Sequence, residues 1–364
     1  TISVIDTATR TVIDTIEVGG NPTAIAITDD GDKTDDDERV FVTEFFAELI
    51  PGGPGEGFDE GKQGIVSTFE VDNPGVVTRM TLSPLADSGF TADRTNFCPQ
   101  SASTPPHSDI FCPDLNAAPG SDTIIKDPQG AFPNQLHAAL IRGNRLYIPN
   151  IGAAPEPPVK FDVNVQALVH VVDADALSEL TNLHVNLNAQ IKNEPVPSDP
   201  TSLDKLFGND IVAIDANRDG TDFLIVSRGG NYVIRAGLDA NGKLDIGAPD
   251  NVVRFQVGNI PTGLVMSKDG RRAYVNNEVN ASVSILNLAN NTVITHDVSS
   301  AAVPDPRSFA HGVLVGKLAF FTALGVPDNG LSALPIRNIV PLQFRGKQSN
   351  NAWSTCASCH PSGL

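Results

Sequence analysis

Residues 258–277 read GNIPTGLVMSKDGRRAYVNN. A short apolar run meets a polar Asp-Gly turn, and a second β-rich run follows. That is the pattern of an antiparallel hairpin. It recurs along the chain. Residues 19–32, GGNPTAIAITDDGD, lead into RVFVTEF at 39–45, and 208–220, GNDIVAIDANRDG, lead into TDFLIVSRGGN at 221–231. LHAALIRGNRLYIPN (136–150) and AHGVLVGKLAFFTAL (310–324) fit with shorter turns. Between them stand pairs of a second kind, at 1–18, 64–82, 167–185 and 281–298, each two β-rich runs joined by polar turn residues. Where no insertion intervenes, the cycle is about 40 to 50 residues, the period of a four-stranded propeller blade.

The expected fold is therefore all-β, a β-propeller over residues 1–325. Five inner pairs and about five outer pairs allow five to seven blades, seven if strands are missing. The chain starts on an outer pair, so the first blade is incomplete unless the C-terminal region supplies its inner strands. Long insertions fall near 46–63, 84–134 and 187–208; loops of that length are functional or poorly ordered. Residues 326–364 read as a linker and the start of a cytochrome c domain, a short helical segment.

That segment ends STCASCHPSGL, with Cys356 and Cys359 two residues apart and His360 next. C-x-x-C-H is the attachment signature of covalent c-type haem. Two thiols add across the vinyl groups, and the adjacent imidazole of His360 ligates the iron. A zinc ribbon needs a second ligand pair, which this sequence lacks. A redox dithiol opens a helix after a βαβ strand, which the β pattern does not offer. Trp353, the sole tryptophan, packs either on the haem edge or in the core.

Two further cysteines, Cys98 and Cys112, lie in a Pro- and Ser-rich loop. They read as a disulfide, which needs an oxidising compartment. Haem attachment to C-x-x-C-H also takes place outside the cytoplasm. Both pairs point to a periplasmic or extracellular protein.

The sixth iron ligand has four candidates. Met80 and Met266 are the only methionines, and Met266 sits within an apolar strand. Aligning the inner strands sets Thr23, His137, Asp210, Thr262 and His311 level. Innermost strands line a propeller's channel, so His137, Asp210 and His311 would converge there, to bind a metal, to cap the haem, or merely to hydrogen-bond loop backbone. His107 reads as a solvated loop residue. DANRDGTD sets Asp215, Asn217, Asp219 and Asp222 around a Gly turn, and DANGKLD offers Asp239, Asn241 and Asp245. Alternate oxygen ligands around Gly suit calcium, and the same residues are ordinary hairpin chemistry. The acidic run from Asp29 to Glu38 reads as a solvated turn insertion.

Bulk properties exclude other classes. The 364 residues carry 43 acidic against 25 basic side chains, a formal net charge of -18. Such a surface repels nucleic acid and anionic lipid and steers basic partners. There is no membrane-length apolar run, no Gly-rich phosphate loop, no G-x-S-x-G and no H-E-x-x-H. The first residues show neither Met nor signal peptide, as in a processed chain or a fragment.

The lines PTAIAITDDGD…RVFVTEF and PTGLVMSKDGRRAYVNN resemble the YVTN family of bacterial β-propellers. RSFAHGVLVGKLAFFTALG…FRGKQSNNAWSTCASCHPSGL resembles the junction in bacterial proteins that join such a propeller to a cytochrome c peroxidase-like dihaem domain, the MauG relatives. The first resemblance covers most of residues 1–325, the second about the last 25. It implies an electron-transferring haem c protein, the front part of a dihaem oxidase, with a basic redox partner and a place in an oligomer or larger redox assembly. The family's second haem motif has no counterpart in this sequence. Two other readings remain open here: a propeller binding or scaffold module, and a metal-dependent oxidase centred on His137, Asp210 and His311.

Overall fold

The computed structural model describes residues 1–34, 37–91, 128–156, 164–199, 202, 204–324, 333–339, 347–349 and 352–361. These form five antiparallel sheets. The first full blade runs Pro22–Ile27, Arg39–Glu44, Lys62–Glu70 and Asn73–Leu82. In the second, Pro128–Leu136 and Leu140–Arg142 lie end to end along Arg145–Ala153, which pairs with Val165–Asp173. The third runs Ile211–Ala216, Phe223–Ser227, Tyr232–Leu238 and Val253–Gln256. The fourth runs Pro261–Met266, Arg272–Asn277, Ser282–Asn287 and Thr292–Ser299.

These meanders pack face to face. Phe41, Val66 and Leu82 of the first blade meet Leu136, Leu146, Ile148 and Val172 of the second. Val212, Leu224, Val226 and Phe255 of the third meet Ala273, Val275 and Leu286 of the fourth. Each such side chain contributes about 1.5–3 kcal/mol by leaving water. Side chains alternate in direction along a strand, so Leu224 and Val226 enter one of these two layers while Phe223 and Ile225 enter a different one. The architecture is a β-propeller. Met80 and Met266 lie in the same two layers, both buried, so the structure removes them as candidate iron ligands.

The fifth sheet has two strands, Ile2–Asp6 and Thr11–Ile16. Ile2, Val4 and Ile16 pack on Val40, Val42 and Phe69 of the first full blade. From sequence, 310–324 reads as an inner strand pair. Instead Phe309–Phe321 is a helix. Ser308 caps it by accepting the His311 amide, and Ala310, Leu314, Lys317, Leu318 and Ala319 favour helix. A short apolar run without strict alternation does not distinguish the two structures. The third insertion is ordered around the Leu187–Ile191 helix, and Leu187, Ile191, Leu206 and Phe207 join the largest apolar cluster. No described helix is long and apolar enough to cross a membrane. Cys98, Cys112 and His107 lie outside the described residues.

Each full blade opens the same way. Asn21, Gln135, Asp210 and Ile260 have φ of 52, 48, 48 and 53°. Each stands just before a residue in the same cross-strand register: Pro22↔Glu44, Leu136↔Asn150, Ile211↔Ser227 and Pro261↔Asn277. Asp210 is thus level with Gln135, and His137 lies two positions further on. The sequence alignment that set Asp210 level with His137 is corrected by this backbone landmark.

Candidate haem-attachment site

Cys356–Cys359 is a single helical turn. Thr355 caps it: its Oγ1 accepts the Ser358 amide while the Ser358 Oγ accepts the Thr355 amide, both at 3.1 Å. This reciprocal capping box closes the turn. Ala357 and Ser358 are buried, whereas Cys356, Cys359 and His360 are exposed. A spacing of three sets the thiols on one side of the turn, and both are free.

The turn rests on residues at the blade entries. Ser358 Oγ lies 3.1 Å from Asp210 Oδ1, and Thr355 Oγ1 lies 3.1 Å from Asp210 Oδ2. Arg228 approaches the same Oδ2 at 3.5 Å. Gln135 Nε2 donates to the Ser358 carbonyl at 3.0 Å. Burial pushes the Asp210 carboxyl up, opposed by Arg228 and the two hydroxyls. Cys359 is exposed by area, yet crowding at its sulfur, then the Asp210 charge and the Cys356 thiol, push its pKa up.

Trp353 anchors the segment. It is 1% exposed, edge-on to Phe90 at 5.1 Å and tilted against Phe207 at 4.2 Å. The indole is packed in the core. Neighbouring C-terminal stretches are fastened by asparagines of the third and fourth blades. Asn231 donates to Thr322 Oγ1 at 3.0 Å, and Asn280 donates to the carbonyls of Ile336 and Ile339 at 3.2 and 3.0 Å.

The structure does not bring His137, Asp210 and His311 together as a metal site; no such group occurs among the described residues. His311 is in the helix, its Nε2 2.7 Å from the Leu334 carbonyl oxygen. His137 packs edge-on against Phe45 at 5.0 Å, and its buried Nε2 has no hydrogen-bond partner. Most residues of the calcium reading make contacts within the chain. Asp215 Oδ1 takes Arg142 at 2.5 Å and its Oδ2 the Met266 amide at 2.8 Å. Asp222 pairs with Arg235 through both oxygens at 2.8 and 2.7 Å. Asn217 closes the turn by accepting the Thr221 and Asp222 amides. Asp219, the exposed fourth member, is left without that company. Asp239 likewise accepts the amides of Asn241 and Lys243.

A buried cluster escaped the sequence reading: His170, Glu179 and His184, with ligand atoms within 4.8 Å of one another. The cross-strand register Val169↔Val185 was the missing signal. The ring nitrogens are engaged. His170 Nδ1 lies 2.9 Å from Asn150 Nδ2, its Nε2 3.1 Å from the Ser83 carbonyl, and His184 Nε2 3.3 Å from the Val171 carbonyl. Carbonyl partners require Nε2–H, so His170 has no lone pair left for a cation.

Burial, then the neighbouring His184, lowers the His170 pKa to about 3. Burial lowers His184 to about 4, and burial followed by the Arg228 charge lowers His137 to about 3. Above the ordinary value of 6.5, both folded and unfolded chains are neutral here. Below it only the unfolded chain takes up protons, so stability falls with pH, by up to about 1.4 kcal/mol per unit per group. The urea midpoint is expected to drop between pH 7 and pH 5, and to drop less in His170→Gln. An equal drop in both would remove His170 as a cause.

No protein-family model matches this chain, and neither does any curated relative. Among solved structures, hydrazine synthase of Kuenenia stuttgartiensis is 13% identical with a TM-score of 0.47, over 79% of this chain and 64% of that one. The periplasmic gluconolactonase PpgL of Pseudomonas aeruginosa is 18% identical with a TM-score of 0.44, over 82% and 64%. The β-propeller domain of Myceliophteria thermophila Cps50 is 12% identical with a TM-score of 0.30, over 80% and 72%. This chain thus spans under two thirds of the length of the first two. The class, a β-propeller, rests on the sheet order above.

Proposed function

We propose that this protein is an extracytoplasmic c-type haem protein that transfers electrons, the propeller serving as scaffold and docking platform. One observation carries the reading. Cys356, Cys359 and His360 are exposed together on a one-turn helix whose other two residues are buried against the propeller. Attachment needs two accessible thiols on one side and an imidazole beside them, and these residues fit that need. When bound, the haem supplies one-electron chemistry at iron.

The chain's own residues do the rest. Cys356 and Cys359 would hold the porphyrin through thioethers, and His360 would ligate the iron. Thr355 and Ser358 fix the turn that presents them. The net charge of -18 favours a basic redox partner, with an association rate that falls as salt rises. The resemblance to propeller–dihaem fusions extends the proposal: this chain would be the front part of a peroxidase- or MauG-like oxidase, with this haem as its electron entry. Cys98 and Cys112, as a disulfide, would suit the same oxidising compartment.

The test is the visible spectrum of purified protein, oxidised and reduced, after acid-acetone extraction. A sharp reduced α-band that stays with the polypeptide is expected, and is lost in Cys356→Ala/Cys359→Ala. A haem that extracts, or none at all, overturns the reading and leaves a propeller binding module with an exposed dithiol.

A further inference from the structure

We infer that Asp210 is the positioning residue of the haem-attachment segment, fixing the capped turn of Cys356–Cys359 on the entry of the third blade and placing a buried carboxyl group beneath it. The electrostatic part rests on the haem reading. The positioning part concerns the bare polypeptide.

The backbone supplies the first argument. Asp210 occupies the positive-φ slot that Asn21, Gln135 and Ile260 fill in the other full blades. Asn suits that conformation as well as Asp does. Nothing in the turn itself calls for a carboxylate, and Asp210 is the only one of the four to bring one.

The second argument is what the carboxylate meets. The Asp210 side chain is 0% exposed. A buried carboxylate is costly unless it is paired and hydrogen-bonded. Here each oxygen takes one hydroxyl, Oδ1 from Ser358 and Oδ2 from Thr355. Those are the two hydroxyls of the capping box. With Asp210 as the nearest acceptor for their hydrogens, beside Asn209 Oδ1 at 3.3 Å from Ser358 Oγ and a 3.2 Å approach of the two hydroxyls to each other, both oxygens can accept the amides that close the turn. The carboxylate therefore selects the rotamers that make the cap.

The third argument is the support behind it. Arg228 faces Asp210 Oδ2 and lies over the Phe321 ring, 4.8 Å from its centroid. Phe321 ends the 309–321 helix. The ion pair thus joins three parts of the chain: the third blade, that helix and the cysteine turn. In its ionised form this carboxylate would favour the ferric state of an attached haem and so lower its reduction potential.

Trp353 reports the docked state, because it is the only tryptophan and sits three residues before Cys356. In the full chain without haem, Asp210→Ala is expected to shift Trp353 emission to the red. Maleimide labelling of Cys356 and Cys359 should speed up by at least about tenfold, as expected from losing two charged hydrogen bonds. Asp210→Asn keeps one acceptor oxygen and is expected to fall between. If Asp210→Ala does not fold, Asp210→Asn alone carries the test and must show both changes in smaller degree. Unchanged emission and labelling overturn the positioning role. In haem-loaded protein, Asp210→Asn with docked emission is expected to show a raised reduction potential, and an unchanged potential overturns the electrostatic role. A wild-type protein without covalent haem defeats the haem reading alone, since emission and labelling are read without it.

Discussion

Trp353→Ala costs about 3–5 kcal/mol of stability, the range for emptying a large aromatic site, and releases the segment that bears Cys356 and Cys359. The indole is 1% exposed and belongs to the cluster that holds Leu206, Phe207, Tyr232, Ile336 and Ile339. Two ring contacts, to Phe90 and Phe207, add about 0.5–1.5 kcal/mol each beyond area. Most of those partners are propeller residues, so the loss falls on the joint between blades and segment. Trp353→Phe should cost much less. It keeps most of the buried area and removes an indole N–H that has no partner. Urea unfolding followed by far-UV circular dichroism, with cysteine labelling as the local probe, measures both variants. A loss below about 1 kcal/mol in Trp353→Ala would mean that the segment is held by its hydrogen bonds instead.

Arg254→Ala has an effect of similar size, at a different place. Arg254, on the last strand of the third blade, holds Glu194 of the 187–208 insertion through two bonds of 3.0 and 2.7 Å. The two side chains are 12% and 8% exposed. Arg254 also donates to the Leu206 carbonyl at 3.2 Å and lies over the Tyr232 ring. Removing one member of a buried pair leaves the other charge stranded, which costs about 3–5 kcal/mol. The double variant Arg254→Met/Glu194→Leu should recover most of that, because no charge is left behind. If the double variant is no better than Arg254→Ala, the arginine stem and its backbone contacts carry the stability rather than the ion pair.

How much of this was legible in the sequence depended on the range of each signal. Local chemistry read well. The Asp-Gly turns at 219–220 and 269–270 fall where the chain reverses, with Gly220 and Gly270 at φ of 63 and 66°. The C-x-x-C-H spacing marked the turn that the structure presents to solvent. What failed was register and partnership. GND before Ile211 lacks the proline that marks GGNP and GNIP, so Asp210 was set two residues out of line. Residues 310–324 carry apolar side chains without a period that separates helix from strand. Asp215, Asn217 and Asp222 are spaced like a calcium loop, but Arg142 and Arg235 come from elsewhere to occupy the carboxylates. His170 and His184 meet only because two strands pair. No spacing rule within one segment anticipates a neighbour brought in by the fold.

The contacts that seat the cysteine turn join residues far apart along the chain. Gln135 and Ser358 are separated by 223 residues, and Asp210 and Ser358 by 148. Neighbouring strands within a blade are joined by far shorter stretches of chain. Closing a long loop costs more chain entropy than closing a short one, and it is rewarded only once both ends have something to bind. The consequence is an order of events. The second and third blades form their entries first, and the stretch bearing Cys356 and Cys359 is captured afterwards. During that interval both sulfurs ride on a loose strand of polypeptide, within reach of any chemistry that must act before the molecule sets.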